Sequence, residues 1–234
     1  MLSVDVALPV YNEERVLPQS VQTLREFLLS GFPYRWELVI VDNASTDSTM
    51  AVAAALSQRY PDVRYIHLDQ KGRGLALRAA WLSSQADIVS YMDVDLSTNL
   101  RHFPALVDAL TKGYDVAIGT RLMAASRIKR SLKREVLSRG YNLMVKAMFF
   151  TRFSDAQCGF KALTRKAAQA LVPLVEDNKW FFDSELLILA EMKGYRIAEI
   201  PVEWVEDLDS RVHIVTTALD DVKGLIRVRT HPIP

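Results

Sequence analysis

The sequence predicts an α/β fold with a mostly parallel central sheet and helices on both of its faces. In the first half of the chain, short apolar runs typical of buried strands alternate with stretches whose apolar residues recur at helical spacing. Polar clusters follow four of these runs, as expected where parallel strands end at one edge of a sheet. The chain has 234 residues, of which 50% are apolar, so one domain with a sizeable core is expected.

Predicted strands and helices alternate along most of the chain. Apolar runs place strands at residues 3–10, 37–41, 64–68, 87–92, 115–119 and 196–202. Helical spacing predicts helices up to Gly31, from the loop 42–47 to about Tyr60, onward from Gly74, over 103–112, from about Arg165, over 182–193 and over 215–229. A further loop is predicted at residues 154–159.

Composition and charge exclude several classes of protein. The net charge of +1 argues against a nucleic-acid binder, because such proteins carry a marked basic excess. The single cysteine, Cys158, cannot form an internal disulfide, so a reducing, cytoplasmic location is expected. We recognise no signal peptide and no window of the roughly 18 to 20 apolar residues that a spanning helix needs. The four histidines lack metal-ligand spacing, which argues against a structural zinc site.

Two carboxylates, Asp93 and Asp95, directly follow the predicted strand 87–92. Hard oxygen ligands of this kind suit Mg²⁺ or Mn²⁺, and such ions also bind the phosphate oxygens of a ligand. A D-x-D triplet is common by chance, but the position of this one at a strand end favours a metal site.

A third carboxylate, Asp42, ends the predicted strand 37–41. It could accept hydrogen bonds from a nucleotide base or a ribose, or it could cap the next helix. Since residues 45–47 offer other caps, the first role is open to it.

The stretch Lys71-Gly72-Arg73-Gly74 could approach phosphates. It lacks the third glycine of the dinucleotide fingerprint, which argues against a Rossmann site, and no P-loop sequence is found.

Residues 127–152 differ from the rest of the chain in composition. Basic residues dominate this segment, with one acid, Glu135, among them. The basic residues are Arg127, Lys129, Arg130, Lys133, Arg134, Arg139, Lys146 and Arg152, and the apolar residues of the later part are Leu143, Met144, Ala147, Met148, Phe149 and Phe150. A basic, amphipathic segment is typical of attachment to an anionic membrane surface, although its apolar residues could also pack into the core or a dimer interface.

Several motifs together resemble glycosyltransferase family 2. In the first half they are Pro9-Val10-Tyr11-Asn12-Glu13-Glu14, Val41-Asp42-Asn43-Ala44-Ser45-Thr46-Asp47, Asp93-Val94-Asp95-Leu96-Ser97-Thr98 and Ile118-Gly119-Thr120-Arg121. In the second half they are Asp155-Ala156-Gln157-Cys158-Gly159-Phe160-Lys161, Trp180-Phe181-Phe182-Asp183-Ser184-Glu185-Leu186-Leu187, Glu199-Ile200-Pro201-Val202-Glu203-Trp204 and Leu225-Ile226-Arg227-Val228-Arg229. The second set is similar to the dolichyl- or polyprenyl-phosphate β-glucosyltransferase branch, a relative of the dolichyl-phosphate mannose synthases. Many relatives carry membrane helices, and none is recognised in this sequence.

The resemblance implies a GT-A fold and an inverting, metal-dependent transfer of a hexose, expected to be glucose from UDP-glucose, to a polyprenyl or dolichyl phosphate. By the same resemblance, residues 1–122 form the nucleotide-sugar half and residues 123–234 the acceptor half of one domain. The residues expected to bind the nucleotide sugar are Pro9, Tyr11, Glu13, Asp42, Lys71, Asp93 and Asp95, of which Asp93 and Asp95 bind Mg²⁺ or Mn²⁺. Those expected at the acceptor phosphate are Arg121, Arg134 and Ser138, and those expected in catalysis are Asp95, Arg121 and Asp183.

Asp183 matches the position of the general base in relatives that use hydroxyl acceptors. A phosphate monoester carries roughly −1.5 to −2 charges near neutral pH, so it is a nucleophile without proton removal. Positioning is then as good an interpretation of Asp183 as base catalysis.

Other functions are compatible with parts of the sequence. A GDP-mannose-dependent mannosyltransferase, or a family 2 enzyme acting on a polysaccharide hydroxyl, would use the same carboxylates. A non-catalytic membrane-surface module does not explain the intact acidic motifs, and a nucleotidyltransferase would need a Gly-rich phosphate loop near the N-terminus. The expected location is peripheral, on the cytoplasmic face of a membrane. A homodimer and a separate membrane partner are both compatible with the sequence.

Overall fold

The structure is a computed structural model that describes residues 1–206 and 214–231. Its strands are β1 (Ser3–Val10), β2 (Arg35–Asn43), β3 (Val63–Leu68), β4 (Ile88–Met92), β5 (Val116–Thr120), β6 (Arg127–Lys129), β7 (Phe160–Thr164), β8 (Ile197–Pro201) and β9 (Glu203–Val205). Its helices are α1 (Leu17–Leu29), α2 (Thr49–Arg59), α3 (Arg73–Ser83), α4 (Phe103–Thr111), α5 (Leu132–Phe149), α6 (Arg165–Leu171), α7 (Phe182–Met192) and α8 (Ile214–Thr230).

A central sheet orders its strands β3-β2-β1-β4-β7-β5-β8 within the described residues. All neighbours pair in parallel except β7, which is antiparallel to both β4 and β5. The predicted mostly parallel sheet is therefore confirmed. Because β7 follows residue 123 and lies between two strands that precede it, both halves of the chain contribute to one sheet.

Apolar side chains cover both faces of the sheet. On one face, α1, α2 and α4 bury residues such as Leu24, Ala53 and Leu106. On the other, α3, α5, α6, α7 and α8 bury residues such as Trp81 and Leu187. This arrangement confirms the prediction of helices on both faces.

Three strands, β6, β7 and β9, were not predicted. The five residues of β7 follow a polar loop and give too short an apolar run to stand out. Strands β6 and β9 have three residues each and form a small separate parallel pair. The basic segment 127–152 thus begins as a strand and continues as α5.

The glycines of Lys71-Gly72-Arg73-Gly74 make room for the loop that precedes α7. A Cβ atom on Gly72 would lie 2.4 Å from the carbonyl oxygen of Asn178, and one on Gly74 would lie 2.7 Å from the Phe182 side chain. The amides of Gly74 and Leu75 donate to the carbonyls of Lys179 and Asn178, both at 3.1 Å. These glycines therefore join the start of α3 to the second half of the chain.

The contact at Gly74 gives a test of this packing. Gly74→Ala is expected to lower the free energy of unfolding by about 1–3 kcal/mol, because its new methyl group overlaps the buried Phe182 ring. Gly140→Ala in α5 is the matched control, since its methyl group meets nothing within 4 Å, and it should stabilise by up to about 1 kcal/mol. Urea denaturation measures both, and equal midpoints for the two variants would contradict the packing.

Candidate functional site

The loops after β1 and β2 meet at the carboxyl edge of the sheet. The Asn12 side chain accepts a hydrogen bond from the Thr46 amide at 2.7 Å, and the Asn12 amide donates to the Ser45 hydroxyl at 2.9 Å. The Glu13 amide donates to the Thr49 hydroxyl at 2.8 Å. Two polar clusters that are separate in sequence are therefore one structure.

Left-handed backbone conformations recur along this edge. Asn12, Ala44 and Leu96 have φ values of 57°, 58° and 51° and lie just after β1, β2 and β4. Such conformations cost residues other than glycine about 1–3 kcal/mol each and persist where the surroundings hold them. The edge is thus constrained at three loops, a property that no sequence pattern revealed.

Asp42 lies at the end of β2 and is completely buried. Its carboxylate is 2.7 Å from Nδ1 of His67 in β3 and accepts the Ser45 amide at 3.2 Å. The first turn of α2 uses Asp47, which accepts the Thr49 amide at 2.9 Å. Asp42 is therefore not needed as a helix cap, and His67 is a site neighbour that the sequence analysis missed.

Other residues predicted to hold the nucleotide lie on the same edge. The Lys71 ammonium lies 3.4 Å from the centroid of the Tyr11 ring, so these two side chains are in contact. Pro9 pairs with Val41 in the register that places Val10 opposite Asp42.

Asp93 and Asp95 follow β4, as predicted. Asp93 Oδ1 accepts a hydrogen bond from Arg73 Nη2 at 2.6 Å, and the Asp93 amide donates to the Gly159 carbonyl at 3.2 Å. A Cβ atom on Gly159 would lie 1.8 Å from Asp93 Oδ2, so this position requires glycine. Asp95 is exposed, and its Oδ1 accepts the Ser97 amide at 2.9 Å.

The donor set at this edge fits a divalent ion that arrives with a ligand. No group of three or more His, Cys, Asp or Glu side chains converges within the described residues. Two carboxylates would leave most coordination positions to phosphate oxygens and water, which is typical of Mg²⁺ and Mn²⁺ at nucleotide sites. Cys158 is buried, which raises the pKa of its thiol to about 12 and leaves it unsuited to ligation.

A buried charge network lies behind Asp93. Asp183 Oδ1 is 2.5 Å from the Tyr91 hydroxyl and 3.0 Å from Nζ of the fully buried Lys161, while Asp183 Oδ2 is 3.7 Å from Arg73 Nε. Burial, and then the Asp183 charge, hold the Tyr91 pKa well above its usual range, so its phenol remains a proton donor. Both oxygens of Asp183 thus face cations or a donor.

Arg121 lies after β5 and is paired with a carboxylate. Its Nε and Nη2 donate to the two oxygens of the buried Asp155, at 2.8 and 3.0 Å. Burial would raise the Asp155 pKa, but the Arg121 charge and hydrogen bonds outweigh it and lower the pKa. Two Arg121 nitrogens are therefore engaged within the protein.

Arg134 and Ser138 lie one turn apart on the inner side of α5. Arg134 Nε is 2.9 Å from a Glu206 oxygen. Ser138 Oγ is buried and has no hydrogen-bond partner in the described part of the chain. Asn142 accepts the Ala156 amide at 2.8 Å and donates to the Ser138 carbonyl at 2.9 Å. This bridge ties the predicted acceptor residues of α5 to the loop that pairs with Arg121.

The sequence analysis also missed Asp221 on α8. Asp221 Oδ2 accepts a hydrogen bond from the Gln157 side chain at 2.6 Å, and burial raises its pKa to about 7. Gln157 belongs to a quoted motif, but its partner lies 64 residues away and nothing in the sequence pairs the two. The contact anchors α8 against the loop 154–159.

The chain matches a known protein family. Residues 5–172 match glycosyl transferase family 2, and this range includes the loops after β1, β2 and β4. The chain belongs to glycosyl transferase family 2. The predicted family and the prediction of a glycosyltransferase are thereby confirmed.

The chain is similar over most of its length to two other proteins. The chain is 38% identical over 229 residues to the glycosyltransferase AglD of Haloferax volcanii, covering 97% of this chain and 37% of AglD. It is 31% identical over 244 residues to the dolichyl-phosphate β-glucosyltransferase of Saccharomyces cerevisiae, covering 96% of this chain and 73% of the yeast protein. The similarity to the β-glucosyltransferase branch is confirmed.

Solved structures confirm the predicted GT-A fold. Glucosyl-3-phosphoglycerate synthase from Mycobacterium tuberculosis, in complex with UDP, aligns with a TM-score of 0.75 and 21% identity over 99% of this chain and 81% of that one. A complex of the same enzyme with Mn²⁺, UDP and phosphoglyceric acid aligns with a TM-score of 0.74.

The buried network at Asp183 can be tested by charge removal. Asp183→Asn leaves the ammonium of Lys161 buried without its counter-charge, and should lower the free energy of unfolding by about 3–5 kcal/mol. Adding Lys161→Met, of similar volume, should restore much of that loss. Chemical denaturation measures both variants. An Asp183→Asn protein as stable as wild type would show that the pair does not hold the fold.

Proposed function

We propose that this chain transfers a hexose, with inversion, from a nucleotide sugar to the phosphate of a polyprenyl or dolichyl lipid. The observation that carries the proposal is the position of the Asp93–Asp95 pair at the same sheet edge as the loops after β1 and β2, with the Arg73 guanidinium hydrogen-bonded to Asp93. The similarity to the yeast dolichyl-phosphate β-glucosyltransferase supports a lipid phosphate as the acceptor.

The nucleotide end of the donor is assigned to the loops after β1, β2 and β3. Asp42 is buried with its carboxylate oriented by His67, so it can accept hydrogen bonds from a base or ribose. Pro9, Tyr11, Glu13 and Lys71 complete this side in our proposal. The contact between Lys71 and Tyr11 places a positive charge beside an aromatic ring, a suitable surface for a phosphorylated nucleoside.

The diphosphate is assigned to the Asp93–Asp95 pair. Asp93 is fixed by Arg73 and by Gly159, while exposed Asp95 is the better placed of the two to meet a ligand from solvent. A bound Mg²⁺ or Mn²⁺ would neutralise the charge that develops on the departing diphosphate. We therefore assign Asp95 the larger share of metal binding.

The acceptor phosphate is assigned to Arg121, Arg134 and Ser138. An acceptor phosphate oxygen attacks C1 of the hexose from the side opposite the diphosphate. The bond from C1 to the diphosphate oxygen breaks, and the diphosphate leaves with its electron pair. This step needs no proton removal from the acceptor, since the phosphate is already anionic. The Ser138 hydroxyl, which has no hydrogen-bond partner among the described residues, can donate to it.

We propose that Asp183 is a positioning residue. Its two oxygens face Lys161, Tyr91 and Arg73, so it holds Arg73 against Asp93. A carboxylate held in this way is a poor base for an external acceptor.

A GDP-mannose donor and a polysaccharide hydroxyl acceptor remain the competing assignments. A hydroxyl acceptor needs a free base, and the paired state of Asp183 argues against it. The similarity to the β-glucosyltransferases supports glucose over mannose.

Helix α5 is the proposed membrane contact. Its outer face exposes a row of apolar residues at helical spacing, namely Leu132, Val136, Leu143 and Ala147, with Phe150 at its end. Leu132 is 79% exposed, Leu143 68% and Phe150 83%. Met148 and Phe149 are instead partly buried against the core, so only part of the apolar run is available to a membrane. No described helix is long and apolar enough to cross a membrane.

Basic residues flank this face. Arg127 and Lys129 are exposed on β6, and exposed Arg152 follows α5. Each basic residue near an anionic leaflet contributes about 1 kcal/mol to binding, and the apolar row adds buried area. Arg130 does not belong to this group, because its side chain is buried and paired with Glu135 at 2.5 Å.

Donor binding should depend on metal through Asp95. Calorimetry with UDP-glucose is expected to show binding in Mn²⁺ or Mg²⁺ that EDTA or Asp95→Asn reduces at least tenfold. Glu26→Gln, on the exposed face of α1, is the control and should bind as wild type. Equal affinity with and without metal would contradict the metal site, and faster turnover with GDP-mannose would overturn the choice of glucose.

Membrane attachment should depend on the outer face of α5. Wild type is expected to sediment with anionic vesicles in low salt and to be partly released in high salt. Val136→Glu with Leu143→Glu should reduce the bound fraction several-fold and leave donor affinity unchanged. Leu29→Glu with Met50→Glu places two exposed charges on α1 and α2, on the other face of the sheet, and is the matched control. If the α5 variant sediments as wild type, the attachment lies elsewhere.

A further inference from the structure

Trp180 exposes an indole ring at the carboxyl edge of the sheet. It lies just before α7 and is 41% exposed, whereas the other three tryptophans are buried or half-buried. Trp180 has no role in the donor and acceptor binding proposed so far. A large aromatic ring left in contact with water beside a polar site is a common feature of ligand-binding surfaces.

The Arg73 guanidinium lies between the Trp180 ring and Asp93. The Arg73 guanidinium carbon lies 4.8 Å from the Trp180 ring centroid and 5.3 Å from that of Tyr91. The same guanidinium donates to Asp93 at 2.6 Å. Arg73 therefore packs between two aromatic rings while it holds the Asp93 carboxylate, and Trp180 is the outer of these two rings.

The backbone under Trp180 is fixed on both sides. Lys179 and Asn178 accept hydrogen bonds from the first turn of α3, and the Asp177 carboxylate accepts the amides of Lys179 and Phe182 at 2.6 and 3.1 Å. Because the loop is already ordered, little conformational entropy of the loop is lost when a ligand packs on the ring.

We propose that Trp180 packs against the hexose of the nucleotide-sugar donor and selects for it, an inference that rests on the proposed function. A diphosphate bound at Asp95 and Asp93 carries its hexose beyond the phosphates, next to the Arg73 guanidinium. A pyranose ring has a face of C–H groups edged by hydroxyls. The C–H face can pack against the aromatic ring of Trp180. The hydroxyls can form hydrogen bonds with Asp93 and Arg73.

The test compares donor with nucleotide product in Mn²⁺. Trp180→Ala should weaken UDP-glucose binding about five- to tenfold and change UDP binding less than twofold, because UDP lacks the hexose. Trp180→Phe should retain part of the difference. Trp36→Phe is the matched control, since Trp36 lies near the start of β2, at the other end of that strand from Asp42. Calorimetry gives the dissociation constants, and thermal unfolding checks that each variant is folded.

The outcomes separate this inference from the proposed function. Absence of UDP and UDP-glucose binding to wild type would count against the proposed function itself. Equal weakening of both ligands by Trp180→Ala, or no weakening of either, would overturn the hexose contact while leaving donor binding in place. A raised KM for polyprenyl phosphate with unchanged UDP-glucose affinity would assign Trp180 to the acceptor, and would likewise overturn it.

Discussion

The site depends on the burial of one carboxylate, Asp183, among groups from three other elements. Lys161 comes from β7, Tyr91 from β4 and Arg73 from α3, while Asp183 itself belongs to α7. A buried charge is tolerated only where its partners are all in place, so the network specifies how these elements pack. Since Arg73 also holds Asp93, the same packing fixes one of the two carboxylates at the proposed diphosphate position.

The sequence was sufficient to predict which loops form the site, because a parallel sheet leaves few possible positions for the loops that follow its strands. Polar clusters after consecutive parallel strands must share the carboxyl edge, and the loops after β1 and β2 do meet there through Asn12 and Thr46. Local patterns were also enough for most strands and helices. The roles of Arg121, Arg134 and Ser138 came only from resemblance, and they stay predictions.

What the sequence could not give depends on contacts between distant residues. Strand β7 is placed by its pairing with β4 and β5, not by its own short pattern. His67 resembles any scattered histidine until β3 sets it beside Asp42. Gly72 and Gly74 resemble a phosphate loop, yet the structure uses them to admit the backbone of Asn178 and the ring of Phe182. In each case the partner lies in another strand, helix or loop, and the periodicity of one element carries no information about its contacts with another.

The two sides of α5 face different environments, and this links the site to the proposed membrane contact. Arg134 and Ser138 lie on the inner side, which Asn142 ties to the loop of Asp155, while Leu132, Val136 and Leu143 lie on the outer side. A lipid phosphate sits at headgroup level with its chain in the bilayer. A helix that presents basic and hydroxyl groups inward and apolar groups outward can therefore bind the phosphate while resting on the surface that holds the chain. The acceptor then needs to leave the membrane by no more than the thickness of one helix.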